Sequence, residues 1–169
     1  MKIVSIYEPT KNQLESFYCG QDQLNDFLWH YAKQNDSKNL SKTYVGIDGK
    51  TIVGYFSITC HSLNYNDIDP IWVKHYPKYP IPCVLLTRLA IDKKFQKKGY
   101  GRNLTLESFS RVAALAAIAG CALLIVCPKK ESINFYERIG FRHLKYNSQY
   151  WAIGTTTLIK MFIKKAKSN

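Results

Sequence analysis

Residues 84–103, VLLTRLAIDKKFQKKGYGRN, contain the clearest structural signals of the sequence. Its apolar first part, Val84 to Ile91, predicts a strand covered on both faces of a sheet. A cluster of lysines and two glycines, Gly99 and Gly101, follows this strand. Residues 103–119 are rich in Ala and Leu and predict a long helix. The segment is therefore a strand, a basic glycine turn and a helix.

The turn from Gln96 to Gly101 predicts an anion site. Glycines let the backbone approach a ligand closely, and the first N–H groups of the helix have no partner within it. Together with the helix dipole, these groups suit a pyrophosphate. The spacing differs from the Rossmann and P-loop motifs, and an ordinary glycine turn is the alternative. The positively charged residues around the turn are Lys93, Lys94, Lys97, Lys98 and Arg102.

The chain before residue 84 predicts a helix and a hairpin. Asp22 is a plausible N-cap, and the apolar residues after it follow helical spacing. Residues 43–47 and 51–59 predict two strands joined by Asp48-Gly49, a strong hairpin signal. The segment 62–82 contains four prolines, so we expect a short helix there or a wall of the substrate site. The apolar positions of the first helix are Leu24, Phe27, Leu28 and Tyr31.

The chain after the long helix predicts the rest of a mixed sheet. Residues 122–127 form an apolar strand, 132–139 a short helix ended by Gly140, and 141–146 and 155–162 two closing strands. This order predicts a mixed α/β fold. Because no linker or repeat interrupts it, we expect one domain over residues 1–169.

Charge and composition constrain the partners and the location of the protein. Twenty-four Lys and Arg against 12 Asp and Glu give a formal net charge of +12. Such an excess favours a polyanionic partner such as nucleic acid, although a merely soluble basic surface is the alternative. The sequence has no apolar run long enough to span a membrane, and we expect no secretory leader. The expected location is therefore the cytoplasm. No cysteine or histidine group has zinc-ligand spacing, so we expect no metal.

Two motifs resemble one known family. The Gln96-x-x-Gly99-x-Gly101 turn after Leu89-Ala90-Ile91-Asp92 is similar to the acyl-CoA-binding motif of GNAT acetyltransferases. Phe135-Tyr136-Glu137-Arg138-Ile139-Gly140-Phe141 is similar to the later Phe-Tyr-x-x-x-Gly-Phe motif of the same superfamily. The resemblance implies the GNAT fold, a mostly antiparallel mixed sheet flanked by helices, and an N-acetyltransferase that uses acetyl-CoA as co-substrate.

Further segments resemble the GNAT toxins of type II toxin–antitoxin systems. They are Phe17-x-Cys19-Gly20, Leu24-x-x-Phe27-Leu28, Tyr79 to Pro82 and Leu85 to Asp92. Such toxins acetylate the amino group of aminoacyl-tRNA, which blocks translation, and a ribbon-helix-helix antitoxin neutralises them. The resemblance also suggests a homodimer. Two departures are Lys97, where these toxins usually have Gly, and Cys127 to Lys130, which replaces an acidic segment.

The resemblance assigns roles to several residues. Tyr136 is the general acid that protonates the departing CoA thiolate, although a core aromatic is the alternative. Leu89, Ala90 and Ile91 supply backbone groups to pantetheine and the thioester carbonyl. Asn134 is a candidate hydrogen-bond partner of the pantetheine arm, and an exposed helix asparagine is the alternative. Apart from the resemblance, the charge of Arg88 inside an apolar strand indicates an acceptor site or an ion pair. Charge and placement make Lys33, Lys38 and Lys42 candidate RNA contacts.

Three functions remain open at the level of sequence. The first is a toxin that acetylates aminoacyl-tRNA. The second is an acetyltransferase of a small amine or a protein N-terminus, and the third is a non-catalytic CoA-fold binding module. No residue is marked as a general base. An α-amine, whose pKa is near 7.8, is roughly a quarter neutral at pH 7.4 and needs less help from a base than lysine does.

Overall fold

A computed structural model describes residues 1–74, 76–147 and 149–166. Contacts divide the chain into two compact units, the first from residues 1–59 and 87–108, the second from 60–86 and the chain after 108. The described strands lie in one seven-stranded sheet, in the order β1 (Lys2–Ser5), β2 (Lys42–Asp48), β3 (Thr51–Leu63), β4 (Ile81–Ile91), β5 (Leu123–Val126), β7 (Trp151–Gly154) and β6 (Arg142–His143). The pairs β1–β2, β2–β3, β5–β7 and β6–β7 are antiparallel, and β4–β5 is parallel. The prediction of a mixed, mostly antiparallel sheet with helices is thereby confirmed.

The first unit packs short helices against the start of the sheet. The Phe17 and Phe27 rings contact Tyr55 with centroids 5.6 and 6.1 Å apart, and these aromatics form the centre of its core. The elements are β1 (Lys2–Ser5), α1 (Lys11–Glu15), α2 (Asp22–Asp26), a π-helical turn (Phe27–Tyr31), α3 (Ala32–Ser37), β2 (Lys42–Asp48), β3 (Thr51–Leu63, shared), the end of β4 (Ile81–Ile91, shared), a 3₁₀ turn (Lys93–Phe95) and the start of α5 (Tyr100–Ala119, shared).

The second unit is built on the parallel pair β4–β5 and its antiparallel neighbours. Its core contains Leu123 and Ile125, which are fully buried, and the buried thiol of Cys83. Gly140 ends a helix with φ of +111°, as predicted. The further elements are a 3₁₀ turn (Tyr65–Asp67), α4 (Pro70–Val73), β5 (Leu123–Val126), a 3₁₀ turn (Lys130–Ser132), α6 (Ile133–Ile139), β6 (Arg142–His143), β7 (Trp151–Gly154) and α7 (Thr155–Ala166).

The prediction of a closing strand over residues 155–162 is wrong. The last strand is β7, and Thr155–Ala166 is the helix α7. Its β-branched threonines and isoleucines favoured a strand. Thr155 and Leu158 are buried and Phe162 is half-buried, however, which is the spacing of one helix face and not of alternating strand faces. The other predicted closing strand is reduced to Arg142–His143.

The first helix differs from its prediction at both ends. Gln21 is the N-cap, and Asp22 is the first helical residue instead. Tyr31 is exposed and Ala32 is buried in its place. The π-helical turn explains this shift, because it adds a residue to one turn and moves the buried face on by one position.

Within the described residues, no helix is long and apolar enough to cross a membrane.

Candidate active site

The strand β4 continues beyond its parallel partner. Its ladder with β5 runs from Cys83↔Leu123 to Leu86↔Val126, and β4 then extends to Ile91. Leu89, Ala90 and Ile91 lie in this extension, where the sequence placed backbone groups for a ligand. Ala90 is buried, whereas the other two are half-buried.

Asp92 fixes the chain where β4 ends. Its backbone N–H donates to the Val53 carbonyl at 2.9 Å. One carboxylate oxygen accepts from the Tyr18 N–H at 3.0 Å, and the other accepts from the Lys94 N–H at 2.9 Å. The Asp92 side chain is buried, and both bonds are partly buried. Sequence reasoning assigned Asp92 no role, because its partner Tyr18 is remote in the chain.

Gln96 holds the turn from its other side. Its side-chain amide donates to the Cys19 carbonyl at 2.9 Å and to the Ile91 carbonyl at 3.0 Å. The glutamine of the Gln-x-x-Gly-x-Gly motif is thus bonded to the protein backbone. In this structure it positions the turn, and the cofactor-binding role predicted from the resemblance stays a prediction.

The turn itself offers unpaired N–H groups. Lys97 and Gly99 have φ of +60° and +86°, which are left-handed conformations. The first bond that returns into the turn is from the Asn103 N–H to the Gly99 carbonyl at 3.2 Å. In the described part of the chain, the N–H groups of residues 97–102 therefore have no hydrogen-bond partner. This is the geometry of an anion site at a helix start.

Cationic side chains surround this anion site. The Lys93 ammonium lies 6.0 Å from the Tyr18 ring centroid, and the Lys98 ammonium lies 5.8 Å from that of Phe95. The Tyr100 hydroxyl donates to the Asp48 carboxylate at 3.3 Å and therefore already has a hydrogen-bond partner within the protein. The exposed cations are Lys93, Lys94, Lys97, Lys98 and Arg102, and Gly101 is half-buried among them. Positive charge and free N–H donors fit the pyrophosphate of acyl-CoA.

Tyr136 lies in the second unit, on α6. Its ring is 7% exposed and packs edge-on against Phe135 and Phe141, with centroids 5.1 and 5.4 Å apart. Burial raises the pKa of the Tyr136 hydroxyl well above its usual value. The phenol therefore stays protonated at neutral pH. No other described group hydrogen-bonds this hydroxyl. Asn134, on the same helix, is exposed.

The candidate RNA contacts lie in the first unit and differ in their surroundings. Lys38 is exposed. The Lys33 ammonium donates to the Pro9 carbonyl at 3.4 Å. Lys42 is bonded to the Asp36 carboxylate at 2.9 Å, and this hydrogen bond raises the pKa of Lys42. The structure thus gives Lys42 an internal partner that the sequence did not reveal.

Within the described residues, Arg88 has no such partner. It lies on the extension of β4 with its guanidinium carbon 3.6 Å from the centroid of the Phe27 ring. The ion-pair alternative finds no support in the described residues, where no carboxylate pairs with Arg88. Those residues also contain no group of three His, Cys, Asp or Glu side chains arranged to hold a metal ion.

A strand β4 that continues past β5 and leads into an anion-binding turn and a helix agrees with the acyl-CoA-binding motif that the sequence resembles. Residues 39–143 match the acetyltransferase (GNAT) domain family. The chain belongs to this family of N-acetyltransferases.

Known proteins with toxin names are similar to it. A tRNA-acetylating toxin of Mycobacterium tuberculosis is 30% identical over 131 residues, which cover 77% of this chain and 78% of that protein. The probable toxin TacT of Sinorhizobium fredii is 25% identical over 154 residues, 85% of each chain. A solved structure of AtaT complexed with acetyl-methionyl-tRNAfMet has a TM-score of 0.85 at 23% identity, with 95% of this chain and 98% of that chain covered, and shares the fold.

Proposed function

We propose that this acetyltransferase moves the acetyl group of acetyl-CoA to the α-amine of aminoacyl-tRNA and thereby blocks translation as a toxin. The observation that carries the acceptor is the similarity to the tRNA-acetylating toxin over three quarters of both chains. The formal charge of +12 supports it, because RNA binding gains from a basic surface.

The donor is held at its phosphates by the turn of the first unit. The N–H groups of residues 97–102 donate to the pyrophosphate, and Lys97, Lys98 and Arg102 add charge. Asp92 and Gln96 keep the turn in this shape before any ligand arrives, which reduces the ordering cost of binding. Leu89, Ala90 and Ile91 contribute backbone groups, and Asn134 contributes its side-chain amide.

The acyl transfer is direct, from the thioester to the amine. The neutral amine attacks the thioester carbonyl, the C–S bond breaks, and the CoA thiolate leaves with a pKa near that of an ordinary thiol, about 8.5. Tyr136 donates a proton to this sulfur as the C–S bond breaks, because burial keeps its phenol protonated and no described group hydrogen-bonds the hydroxyl. The tyrosinate that forms is then reprotonated from solvent. The proton lost by the amine goes to solvent.

The absence of an assigned base matches this acceptor. The α-amine of an amino acid has a pKa near 7.8, so a useful fraction is neutral without a protein base. A lysine ε-amine, with a pKa near 10.4, is about 0.1% neutral at pH 7.4. The chemistry thus favours an α-amine over a protein lysine.

The partners follow from the same proposal. A toxin of this kind acts in the cytoplasm, where charged tRNA is found, and is neutralised by a ribbon-helix-helix antitoxin. The toxin name of the Sinorhizobium relative supports this assignment.

The test uses labelled acetyl-CoA and a bulk mixture of charged tRNAs. We expect label on the tRNA, released as N-acetyl amino acid when mild alkali cleaves the ester. Gly99→Glu should abolish transfer by placing a carboxylate in the anion site, and Tyr136→Phe should lower it with acetyl-CoA binding intact. Transfer to small amines or peptide N-termini but not to tRNA would replace this acceptor. A Tyr136→Phe variant with full biological effect would indicate a binding module.

A further inference from the structure

Arg88 is a partly buried cation fixed in one orientation. Its guanidinium lies on the face of Phe27, 3.6 Å from the ring centroid. Such stacking leaves the planar edges of the guanidinium, which carry its N–H donors, directed away from the ring. Burial lowers the pKa of Arg88, although a guanidinium remains charged at neutral pH.

This cation has no counter-ion in the described part of the chain. No carboxylate pairs with it, and no hydrogen bond there uses its donors. The nearby Tyr55 hydroxyl donates to the Leu24 carbonyl at 2.8 Å. A half-buried charge without a partner is costly to a folded protein. The arrangement therefore suits a ligand that supplies an anionic acceptor.

The side-chain amide of Asn25, two residues before Phe27 in the chain, is a second donor without a partner among the described residues. Asn25 is 1% exposed, and its side-chain oxygen accepts from the Cys19 N–H at 2.9 Å. Its amide nitrogen has no partner among the described residues. It follows Leu24, which accepts from Tyr55. Because this nitrogen is buried, a ligand reaches the half-buried donors of Arg88 more readily than the Asn25 amide, and a ligand of Arg88 must present acceptors.

Arg88 lies on a different face of β4 from the anion-binding turn. The Ile91 and Leu104 side chains both approach Gly54, at 2.7 and 2.8 Å from where a Cβ would lie, so Ile91 faces α5. Side chains alternate along a strand, and Arg88 and Ala90 therefore face the other way. Ala90 packs into the core cluster of the helices α1 to α3. The guanidinium is thus on the face opposite α5, whose first turn is the pyrophosphate site.

We propose that Arg88 binds a phosphodiester oxyanion near the 3′ end of the acceptor RNA and thereby positions the aminoacyl group. The planar guanidinium edge matches two phosphate oxygens in a bidentate contact. A phosphate of CoA could make the same contact. Arg88 lies on the face of β4 opposite α5 and the pyrophosphate site, however, and this position favours a phosphate of the acceptor RNA. This inference rests on the proposed function, because it assumes an RNA acceptor.

The test compares two acceptors that differ in phosphate. One is charged tRNA, and the other is an aminoacyl-adenosine, which has the same amine and ester but no phosphodiester. For Arg88→Gln, we expect KM for charged tRNA to rise roughly 10- to 100-fold, with KM for aminoacyl-adenosine unchanged. Arg88→Lys keeps the positive charge but loses the bidentate contact, so its KM for charged tRNA should lie between those of wild type and Arg88→Gln. Equal losses with both acceptors, or no loss with tRNA, would overturn the proposal.

Arg102→Gln is the matched control, because it removes one positive charge at the turn. It should raise KM for acetyl-CoA and leave KM for charged tRNA unchanged, whereas Arg88→Gln should do the reverse. A higher KM for acetyl-CoA in Arg88→Gln would assign Arg88 to a CoA phosphate instead. If Arg88→Gln fails to fold, Arg88→Lys decides by the same comparison.

Binding of tRNA without turnover separates this proposal from the proposed function. Fluorescence anisotropy over a range of salt concentrations should give a slope of log K against log salt that is smaller by about 1 in Arg88→Gln. If that reduction occurs while the wild-type chain transfers no acetyl to tRNA, only the proposed function fails. An unchanged slope and affinity in a chain that acetylates tRNA would overturn the role of Arg88 alone.

Discussion

Asp92→Asn tests whether a buried carboxylate holds the pyrophosphate turn in shape. Asp92 is 5% exposed and accepts from two backbone N–H groups, those of Tyr18 and Lys94, at 3.0 and 2.9 Å. An asparagine has one acceptor oxygen, so one of these N–H groups loses its partner. A hydrogen bond to a charged group contributes about 1.5–3 kcal/mol to stability. We therefore expect the free energy of unfolding to fall by about 2 kcal/mol in Asp92→Asn.

The same change should weaken the donor site. For a domain of this size, 2 kcal/mol lowers Tm by roughly 4–8 °C. Because the free N–H groups of the turn must converge on one ligand, we expect Kd for acetyl-CoA to rise roughly tenfold. Urea unfolding followed by circular dichroism and calorimetric titration with acetyl-CoA measure the two effects.

Asp26→Asn provides the control for Asp92→Asn. Asp26 is exposed, so the same chemical change there should leave both quantities within error. If Asp92→Asn unfolds at the wild-type urea concentration and binds acetyl-CoA with the wild-type Kd, the carboxylate does not organise the turn and the reasoning fails.

Three further predictions concern other parts of the molecule. Tyr136→Phe should lower kcat by roughly 10²- to 10⁴-fold with Kd for acetyl-CoA unchanged. The wild-type rate should rise through pH 7–8 as the α-amine loses its proton, and it should not fall up to pH 10, because burial raises the pKa of Tyr136. A fall of the rate near pH 9 would contradict this. Burial raises the pKa of the Cys83 thiol to about 12, above the pKa of a thiol in the unfolded chain. The unfolded chain therefore loses this proton first as pH rises, and the free energy of unfolding falls. Between pH 9 and 10 it should fall by about 1 kcal/mol per pH unit more in wild type than in Cys83→Ala, as urea titrations would show. Because Lys97 has φ of +60°, Lys97→Val should be about 1–2 kcal/mol less stable than Lys97→Gly by the same assay, and equal stability would indicate another conformation.

The central strand, turn and helix were predictable because each has a local signal. An apolar run, two glycines and an alanine-rich segment specify strand, turn and helix without help from distant residues. The left-handed φ of Lys97 is a conformation that favours glycine, and lysine adopts it here.

Other features could not be predicted because they depend on tertiary contacts. Residues 155–162 have strand propensity, but packing of Thr155 and Leu158 on one face selects a helix. Asp92 and Gln96 each have one partner more than seventy residues away in the chain, at Tyr18 and Cys19. Nothing in a single sequence indicates such long-range pairs.

The candidate RNA contacts illustrate the same limit for charge. The sequence makes Lys42 a candidate RNA contact by charge and placement, and leaves Arg88 open between an acceptor site and an ion pair. The structure pairs Lys42 with Asp36 and stacks Arg88 on Phe27 with no carboxylate among the described residues. Only the three-dimensional positions of acidic groups distinguish a structural cation from one with unused donors.

The most direct test of acetyl transfer to aminoacyl-tRNA is the mass of the 3′-terminal aminoacyl-adenosine. Charged tRNA is incubated with acetyl-CoA and wild-type protein or Tyr136→Phe, and a nuclease then releases the terminal nucleoside with its amino acid for mass spectrometry. We expect one added acetyl group on the amino acid with wild type, and much less at equal time with Tyr136→Phe. An unmodified aminoacyl-adenosine after full incubation with wild type, or acetyl found only on the nucleobase, would contradict it.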